Sequence, residues 1–117
     1  YYFSYATYTT RANSMDNHIP QPSTSPALWA SSFIIGRNNT LELDHKKNDG
    51  LVNTSSMYGP NYNYIVYNDF PKQGVWQLID TLSYDHHQIV GRGKLQSQEI
   101  KNILDIYINH FNILYNL

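Results

Sequence analysis

The sequence has no cysteine and few charged residues, and both absences limit what the chain can do. Because the chain has no cysteine, its sequence does not indicate whether the protein works in an oxidising or a reducing compartment. No cysteine thiolate can ligate a metal ion either. Charged residues make up 15% of the chain and the formal net charge is −1, so the charge balance indicates no nucleic-acid partner. No apolar run approaches the roughly 20 residues of a transmembrane helix.

Aromatic residues are abundant instead. They make up 15% of the chain, with eleven tyrosines, and we interpret this enrichment as a compositional bias rather than a binding surface. A length of 117 residues suits one domain and is too short for two. Strand-forming residues begin at Tyr1 with neither an initiating methionine nor the order of a signal peptide. We therefore expect a fragment of a longer protein.

The first third of the chain predicts a strand, a loop and a short helix. Alternating side chains over residues 1–10 predict a strand with one covered face. Pro20, Pro22 and the following Pro26, together with many small polar residues, predict an irregular loop over residues 11–25. Residues 27–36 predict a short helix that ends at Gly36, with an apolar side made of Leu28, Trp29, Phe33 and Ile34.

The second half predicts two strands and a long helix. Residues 62–67 favour a short strand, and an apolar run that opens at Gly74-Val75-Trp76 predicts a longer strand that ends at the histidine His86. Ser97 is the predicted cap of a C-terminal helix that packs on a sheet, with Glu99 in its first turn. Its apolar residues recur at helical spacing: Ile100, Ile103, Leu104, Tyr107, Phe111 and Leu114.

His86 is the candidate general base, because it follows the apolar strand in a short loop bounded by glycine. Histidine exchanges protons near neutral pH, since its ordinary pKa is about 6.5. A hydrolytic histidine also needs a carboxylate and a nucleophile. Asp49, in Asn48-Asp49-Gly50, is a candidate acid, although an aspartate in such a turn more often serves the turn itself. The sequence has no Gly-x-Ser-x-Gly nucleophile elbow.

Two other sites are weaker interpretations. Four histidines, His18, His45, His86 and His87, suggest a zinc site, but adjacent histidines on an extended segment point to opposite faces. The run Gly91-Arg92-Gly93-Lys94 lacks the glycine spacing of a phosphate-binding loop and indicates a turn. We predict no metal ligands among these residues, and we expect Asp85 to serve the turn that carries His86.

Five blocks of sequence, in this order, resemble the C-terminal part of the triacylglycerol lipases of the staphylococcal and thermophilic-bacillus type. The resemblance spans nearly the whole chain, and five ordered blocks are more specific than any one of them. The blocks are Tyr1-Tyr2-Phe3-Ser4, the region of Leu28-Trp29, residues 48–60 from Asn48-Asp49-Gly50 to Gly59-Pro60, Lys72-Gln73-Gly74-Val75-Trp76, and Asp85-His86.

This resemblance implies that residues 1–117 are a single partial domain, the C-terminal segment of an α/β-hydrolase domain. It implies a carboxylic ester hydrolase in which Asp49 orients His86, while the serine and the oxyanion hole lie in the missing N-terminal part of the same domain. The expected substrate is a lipid or other ester at a lipid–water interface, and the expected location is extracellular. The alternative is a non-catalytic binding or structural module derived from a hydrolase.

The resemblance to these lipases also implies a calcium site just after the histidine. The resemblance implies that the ligands are a glutamate, an aspartate and a loop carbonyl, at the positions of Gln88, Gly93 and Ser23. Calcium prefers several hard oxygens, some of them charged, so we expect this site to be lost and no cofactor to be required. The zinc site of the family would lie mostly upstream of this chain.

Overall fold

The computed structural model describes residues 1–40 and 43–117. Two 3₁₀ helices, Thr54–Met57 and Pro60–Tyr62, accompany the strands and α-helices. In chain order those are β1 (Tyr2–Thr7), β2 (Thr10–Ala12), β3 (His18–Pro20), α1 (Pro26–Gly36), α2 (Leu43–Lys46), β4 (Ile65–Val66), β5 (Trp76–Leu82) and α3 (Ser97–Tyr115).

The central strand of the main sheet is β5, which pairs in parallel with β1 on one side and β4 on the other. Trp76, Ile79 and Thr81 favour a strand, and Gln77 and Leu78 are buried in it. The strand ends at Leu82, earlier than the predicted end at His86. The last residue of β1, Thr7, lies opposite the last residue of β5, Leu82. The loops that follow these two strands therefore leave the sheet at the same edge. The predicted α/β class is confirmed.

The predicted irregular loop at residues 11–25 is wrong in part, because β2 and β3 form an antiparallel pair there. The Asn13 side-chain oxygen closes the turn between them by accepting hydrogen bonds from the N–H groups of Met15 and Asn17. Pro20 ends β3 opposite Thr10, a position at which a strand tolerates proline. Three-residue strands carry too little alternation to be predicted from the sequence.

Helix α1 ends at Gly36 as predicted, and Leu28 of the predicted apolar side is buried, but the rest of that side is not. Trp29 and Ile34 are exposed, whereas Ser32 and Gly36 are buried. A side chain at position 36 would place its Cβ 2.0 Å from the carbonyl oxygen of His18. The helix thus approaches β3 through small residues, and this close approach leaves no room for an apolar stripe.

Helix α3 is confirmed, with its cap one residue earlier than predicted. Ser97 is the first helical residue, and Gln96 occupies the cap position. The carboxylate of Glu99 accepts a hydrogen bond from the Gln96 N–H at 2.7 Å, which satisfies a donor at the helix start. None of the helices in the described part of the chain is both long and apolar enough to span a membrane.

The contact of α3 with the sheet includes His110. Ile103 is buried, and the His110 ring packs edge-on against the rings of Tyr5 and Phe3. The predicted packing of this helix on a sheet agrees with these contacts. Several apolar residues of the helix stay exposed in this chain, namely Ile100, Leu104, Ile108, Phe111 and Leu114.

Polar side chains dominate the most deeply buried positions. Such groups are costly to bury unless they are hydrogen-bonded, so their burial marks a built network. The largest fully buried side chains are Gln77, Asn48, Thr9, Thr10, Thr54, Asp49, Asp85 and Ser32. Most of them lie around the loops that hold Asp49 and His86.

Candidate active site

The turn at residues 48–53 presents the carboxylate of Asp49 inside the protein, with 1% of the residue exposed. Gly50, at φ +101°, lets the chain fold back so that the N–H groups of Leu51 and Val52 reach Asp49 Oδ1 at 3.1 and 2.9 Å. A Cβ at position 50 would lie 2.8 Å from the Cβ of Leu28. Glycine is therefore needed both for the backbone conformation and for the approach of α1.

Asn48 anchors this turn to the surrounding elements. Its side-chain amide is buried and donates to the carbonyl oxygens of Ser32 and Lys46 at 3.1 and 2.9 Å. The amide oxygen accepts the N–H of Gly50 at 2.9 Å, and the main-chain carbonyl accepts the N–H of Thr9 at 2.8 Å. The sequence indicated a turn residue here, whereas the structure shows a buried link between the acid turn, α1 and the first hairpin.

His86 lies in a turn at residues 86–91, just beyond the end of β5. The Asp85 side chain begins this turn, because its Oδ1 accepts the N–H groups of His87 and Gln88 at 2.9 and 2.8 Å. The predicted turn role of Asp85 is thereby confirmed. The segment is not extended, so the geometric argument made from the sequence against a shared His86–His87 metal site does not apply.

Asp49 and His86, both selected from the sequence, are brought together. The Nδ1 of His86 lies 2.9 Å from Oδ2 of Asp49, and the His86 N–H donates to the Asp49 carbonyl oxygen at 3.0 Å. Since the carboxylate accepts, Nδ1 carries the hydrogen and Nε2 is left as the acceptor nitrogen. The His86 side chain is 45% exposed, and no hydrogen bond joins Nε2 to any residue in 1–40 or 43–117.

Thr7 is a member of this group that the sequence reasoning missed. Its hydroxyl donates to Asp49 Oδ2 at 2.9 Å and lies 3.4 Å from the sulfur of Met57, a much weaker acceptor. Asp49 thus accepts four hydrogen bonds, two on each oxygen. No sequence signal marks Thr7, because a threonine at the end of a strand is explained by β propensity alone.

The described histidines outside this turn have other surroundings. Nδ1 of His18 lies 3.2 Å from the Thr10 hydroxyl, and His45 pairs with the Tyr62 hydroxyl at 2.5 Å. Burial lowers the pKa of His18 below its usual 6.5, and the nearby charges of Lys47 and Lys46 lower it further. Within the described ranges, no three or more His, Cys, Asp or Glu residues are grouped so that they could hold a metal ion.

The fold is similar to that of solved proteins. No family model matches the chain. The structure of Staphylococcus hyicus lipase matches with a TM-score of 0.81 at 21% identity, over 97% of this chain and 30% of that one. EstA from Clostridium botulinum matches with a TM-score of 0.78 at 28% identity, over 100% of this chain and 29% of that one.

The chain has an α/β-hydrolase fold. The resemblance to lipases expected from the sequence is thereby confirmed, and the chain spans about 30% of the length of these two proteins.

The position of the Asp49–His86 pair fits the rule for open α/β sheets, in which ligands bind beyond the carboxyl ends of the strands. His86 follows the carboxyl end of β5, and Thr7, at the carboxyl end of β1, contacts Asp49. A cavity of about 460 Å³ lies at the opposite end of the same strands, beside Tyr2 and Trp76. That cavity is therefore remote from the pair in this α/β-hydrolase fold.

Proposed function

We propose that this chain supplies the acid and the base of a Ser-Asp-His triad in a lipase-like carboxylic ester hydrolase. The observation that supports the proposal is the 2.9 Å contact between His86 Nδ1 and Asp49 Oδ2. Asp49 is buried and held by four donors, while the histidine is partly exposed. A fixed acid behind an accessible base is the arrangement that nucleophile activation requires.

In the proposed reaction, Nε2 of His86 takes the proton of a serine hydroxyl as the serine oxygen attacks the ester carbonyl carbon. The tetrahedral intermediate then collapses, and His86 gives that proton to the departing alcohol. Water attacks the acyl-enzyme in the second half, again with His86 as base, and releases the carboxylic acid. Asp49 keeps Nδ1 protonated and stabilises the imidazolium that forms in both halves.

The nucleophile and the oxyanion hole are proposed to come from another part of a longer chain, of which residues 1–117 form one segment of the domain. The 117 residues contain no Gly-x-Ser-x-Gly elbow. The solved structures that match are more than three times as long as this chain. The exposed apolar side chains of α3 offer a surface that further parts of such a domain would cover.

The proposed substrate is a triacylglycerol or another lipid ester at a lipid–water interface, and the proposed location is outside the cell. Both rest on the resemblance to lipases, since one of the similar structures is a lipase. The pair of Asp49 and His86 sets the reaction type, because it serves ester cleavage with any acyl chain. Chain-length preference would depend on an acyl pocket formed by other sequence.

The test uses the full-length protein that contains this chain. We expect hydrolysis of p-nitrophenyl esters and of emulsified triacylglycerol, and labelling of one elbow serine by a fluorophosphonate probe, located by mass spectrometry. His86→Ala should prevent the labelling, because the serine then has no base. A full-length sequence without an elbow, together with absent labelling, would favour the non-catalytic binding or structural module instead.

A further inference from the structure

Gln88 connects the turn that carries His86 to the segment just before α1. The residue is almost fully buried, with 3% exposed. Its amide oxygen accepts the N–H of Asp85 at 3.0 Å, and its Nε2 donates to the carbonyl oxygen of Ser23 at 2.9 Å. Because both ends of the carboxamide are used, one side chain joins two segments that are 65 residues apart in the sequence.

A second hydrogen bond lies beside the first, and its donor is on the 23–25 segment instead of on the His86 turn. Oδ2 of Asp85 accepts the N–H of Ser25 at 2.6 Å, while Oδ1 holds the turn that begins at His86. The segment at residues 23–25 therefore offers one carbonyl oxygen and one N–H group, and Gln88 and Asp85 match both. This pairing satisfies the Ser23 carbonyl oxygen and the Ser25 N–H group without a cation, whereas the buried Ser25 hydroxyl has no hydrogen-bond partner among the described residues.

The residues present do not fit the calcium site that the lipase resemblance implies. Calcium takes about six to eight oxygen ligands, usually with some carboxylate charge. Here the carbonyl of Ser23 is paired with an amide N–H₂ group, which cannot ligate a cation. Gly93 contributes no side chain, and at φ +87° a Cβ there would lie 2.8 Å from Ser25 Oγ. A carboxylate at position 93 would require a different loop.

The cavity next to this junction is lined by one carboxylate, Glu99, and one lysine, Lys94. It measures about 350 Å³ and is lined by Gln88, Lys94, Gln96 and Glu99 among others. The Glu99 carboxylate already accepts the N–H of Gln96 at the start of α3, and Lys94 contributes a positive charge. The surroundings therefore disfavour a divalent cation.

We propose that the Gln88 carboxamide replaces a bound calcium ion as the group that fixes the His86 turn. Gln88 is then a positioning residue, and the protein is independent of calcium. The link to Ser23 holds residues 85–88 in place, so that His86 keeps its ring against Asp49. Only the catalytic consequence rests on the proposed function, because the link itself is a matter of folding.

The first experiment compares melting temperatures of the full-length protein in millimolar calcium and in a chelator. Wild type should melt at the same temperature in both, and titration calorimetry with calcium should give no binding heat. Gln88→Met has similar size but makes neither hydrogen bond, so we expect melting about 5 °C lower. The matched control is Gln98→Met, which makes the same change on the exposed face of α3 and should melt like wild type.

The second experiment restores a carboxylate with Gln88→Glu. The glutamate cannot donate to the Ser23 carbonyl, so this variant should also melt below wild type in a chelator. Because Gly93 supplies no second carboxylate and Lys94 lines the adjacent cavity, calcium should leave the melting temperature of this variant unchanged, as it does that of wild type. A calcium-dependent rise in the melting temperature of Gln88→Glu would show that the remaining groups do form a calcium site, and it would overturn the conclusion that the residues do not fit the ion.

The remaining outcomes separate the link from the proposed function. Calcium binding by wild type, or wild-type melting of Gln88→Met, would overturn the link even if esters are hydrolysed. Stability results as expected without any ester hydrolysis would retain the link and refute only the proposed function. In an active protein, Gln88→Met should lower kcat about 10-fold with KM unchanged, since about 1.4 kcal/mol of transition-state stabilisation is a tenfold rate change. An unchanged kcat would refute the positioning role.

Discussion

The hydroxyl of Thr7 donates to Oδ2 of Asp49 at 2.9 Å, on the same oxygen that accepts the hydrogen bond from His86. This contact ties the acid to the last residue of β1, an element without loop flexibility. Two main-chain N–H groups hold the other oxygen, so the carboxylate has one orientation. The direction of the His86 ring is therefore set by the edge of the sheet as well as by its own turn.

Thr7→Val tests this relationship. Valine has the same shape and strand preference, but it leaves Oδ2 of the buried carboxylate short of one donor. We expect a loss of about 1.5–3 kcal/mol in the free energy of unfolding, the range for hydrogen bonds to charged groups, measured by urea titration. Thr7→Ser keeps the hydroxyl and should lose less. Equal stability of the valine variant and wild type would show that the contact contributes nothing.

His86→Ala and Asp49→Asn test the proposed triad in the full-length protein. His86→Ala should lower kcat by several orders of magnitude, because no group then carries the proton. Asp49→Asn should cost about 10⁴-fold, the size of this change in a serine protease triad, by favouring the wrong histidine tautomer. Steady-state ester hydrolysis measures both. The double variant should be little worse than either single one, since the residues act as a unit.

His87→Ala is the neighbouring control for that series. The described structure gives the His87 side chain no hydrogen bond, and only its main chain takes part in the turn, through Asp85 and Arg92. We expect its kcat within a few-fold of wild type. If His87→Ala silences the enzyme while His86→Ala does not, the base lies one residue further along the chain than proposed.

Asp85→Asn should destabilise the protein although Asp85 is not part of the proposed triad. The new amide N–H₂ would face the N–H of Ser25, so that two donors meet where a carboxylate now accepts at 2.6 Å. The expected loss is about 1–3 kcal/mol, the cost of leaving a buried group unsatisfied, read from urea unfolding. Asp80→Asn is the matched control on an exposed residue and should unfold like wild type.

His18 should make stability depend on pH. Burial, together with Lys47 and Lys46, lowers its pKa below 6.5, so the unfolded chain binds this proton more tightly than the folded protein. Its contribution is fully present above about pH 6.5 and is lost as the pH falls through the folded-state pKa. His18→Gln removes the titration and should flatten the change in urea midpoint over that window. An unchanged slope would assign the pH dependence to another group.

Sequence patterns predicted the elements that have long, regular periods. Strand β5 and helix α3 are seven and 19 residues long, and both were found from their apolar periodicity. The buried side of α1 was wrong because it is decided by close approach to His18 and the residue 48–50 turn, far away in the sequence. The β2–β3 pair was missed because three residues show too little alternation.

The pairing of Asp49 with His86 was predicted from the resemblance to lipases and not from their spacing in the sequence. The two residues are 37 apart in the sequence, and a turn aspartate alone indicates only turn chemistry. Their contact agrees with that expectation, while their catalytic role stays a prediction. The contact of Thr7, 42 residues before Asp49, could not be predicted, because nothing in the neighbouring sequence distinguishes it from any other threonine in a strand.

The main-chain hydrogen bond from the His86 N–H to the Asp49 carbonyl oxygen does not involve any side chain. His86→Ala leaves both its donor and its acceptor in place, so we expect the two turns to keep their spacing when the base is removed. Added imidazole could then bind in the gap of a His86→Ala protein, beside an acid that has not moved. Chemical rescue by small imidazoles is therefore a reasonable expectation at this site, and its dependence on substituent size would measure the width of the gap.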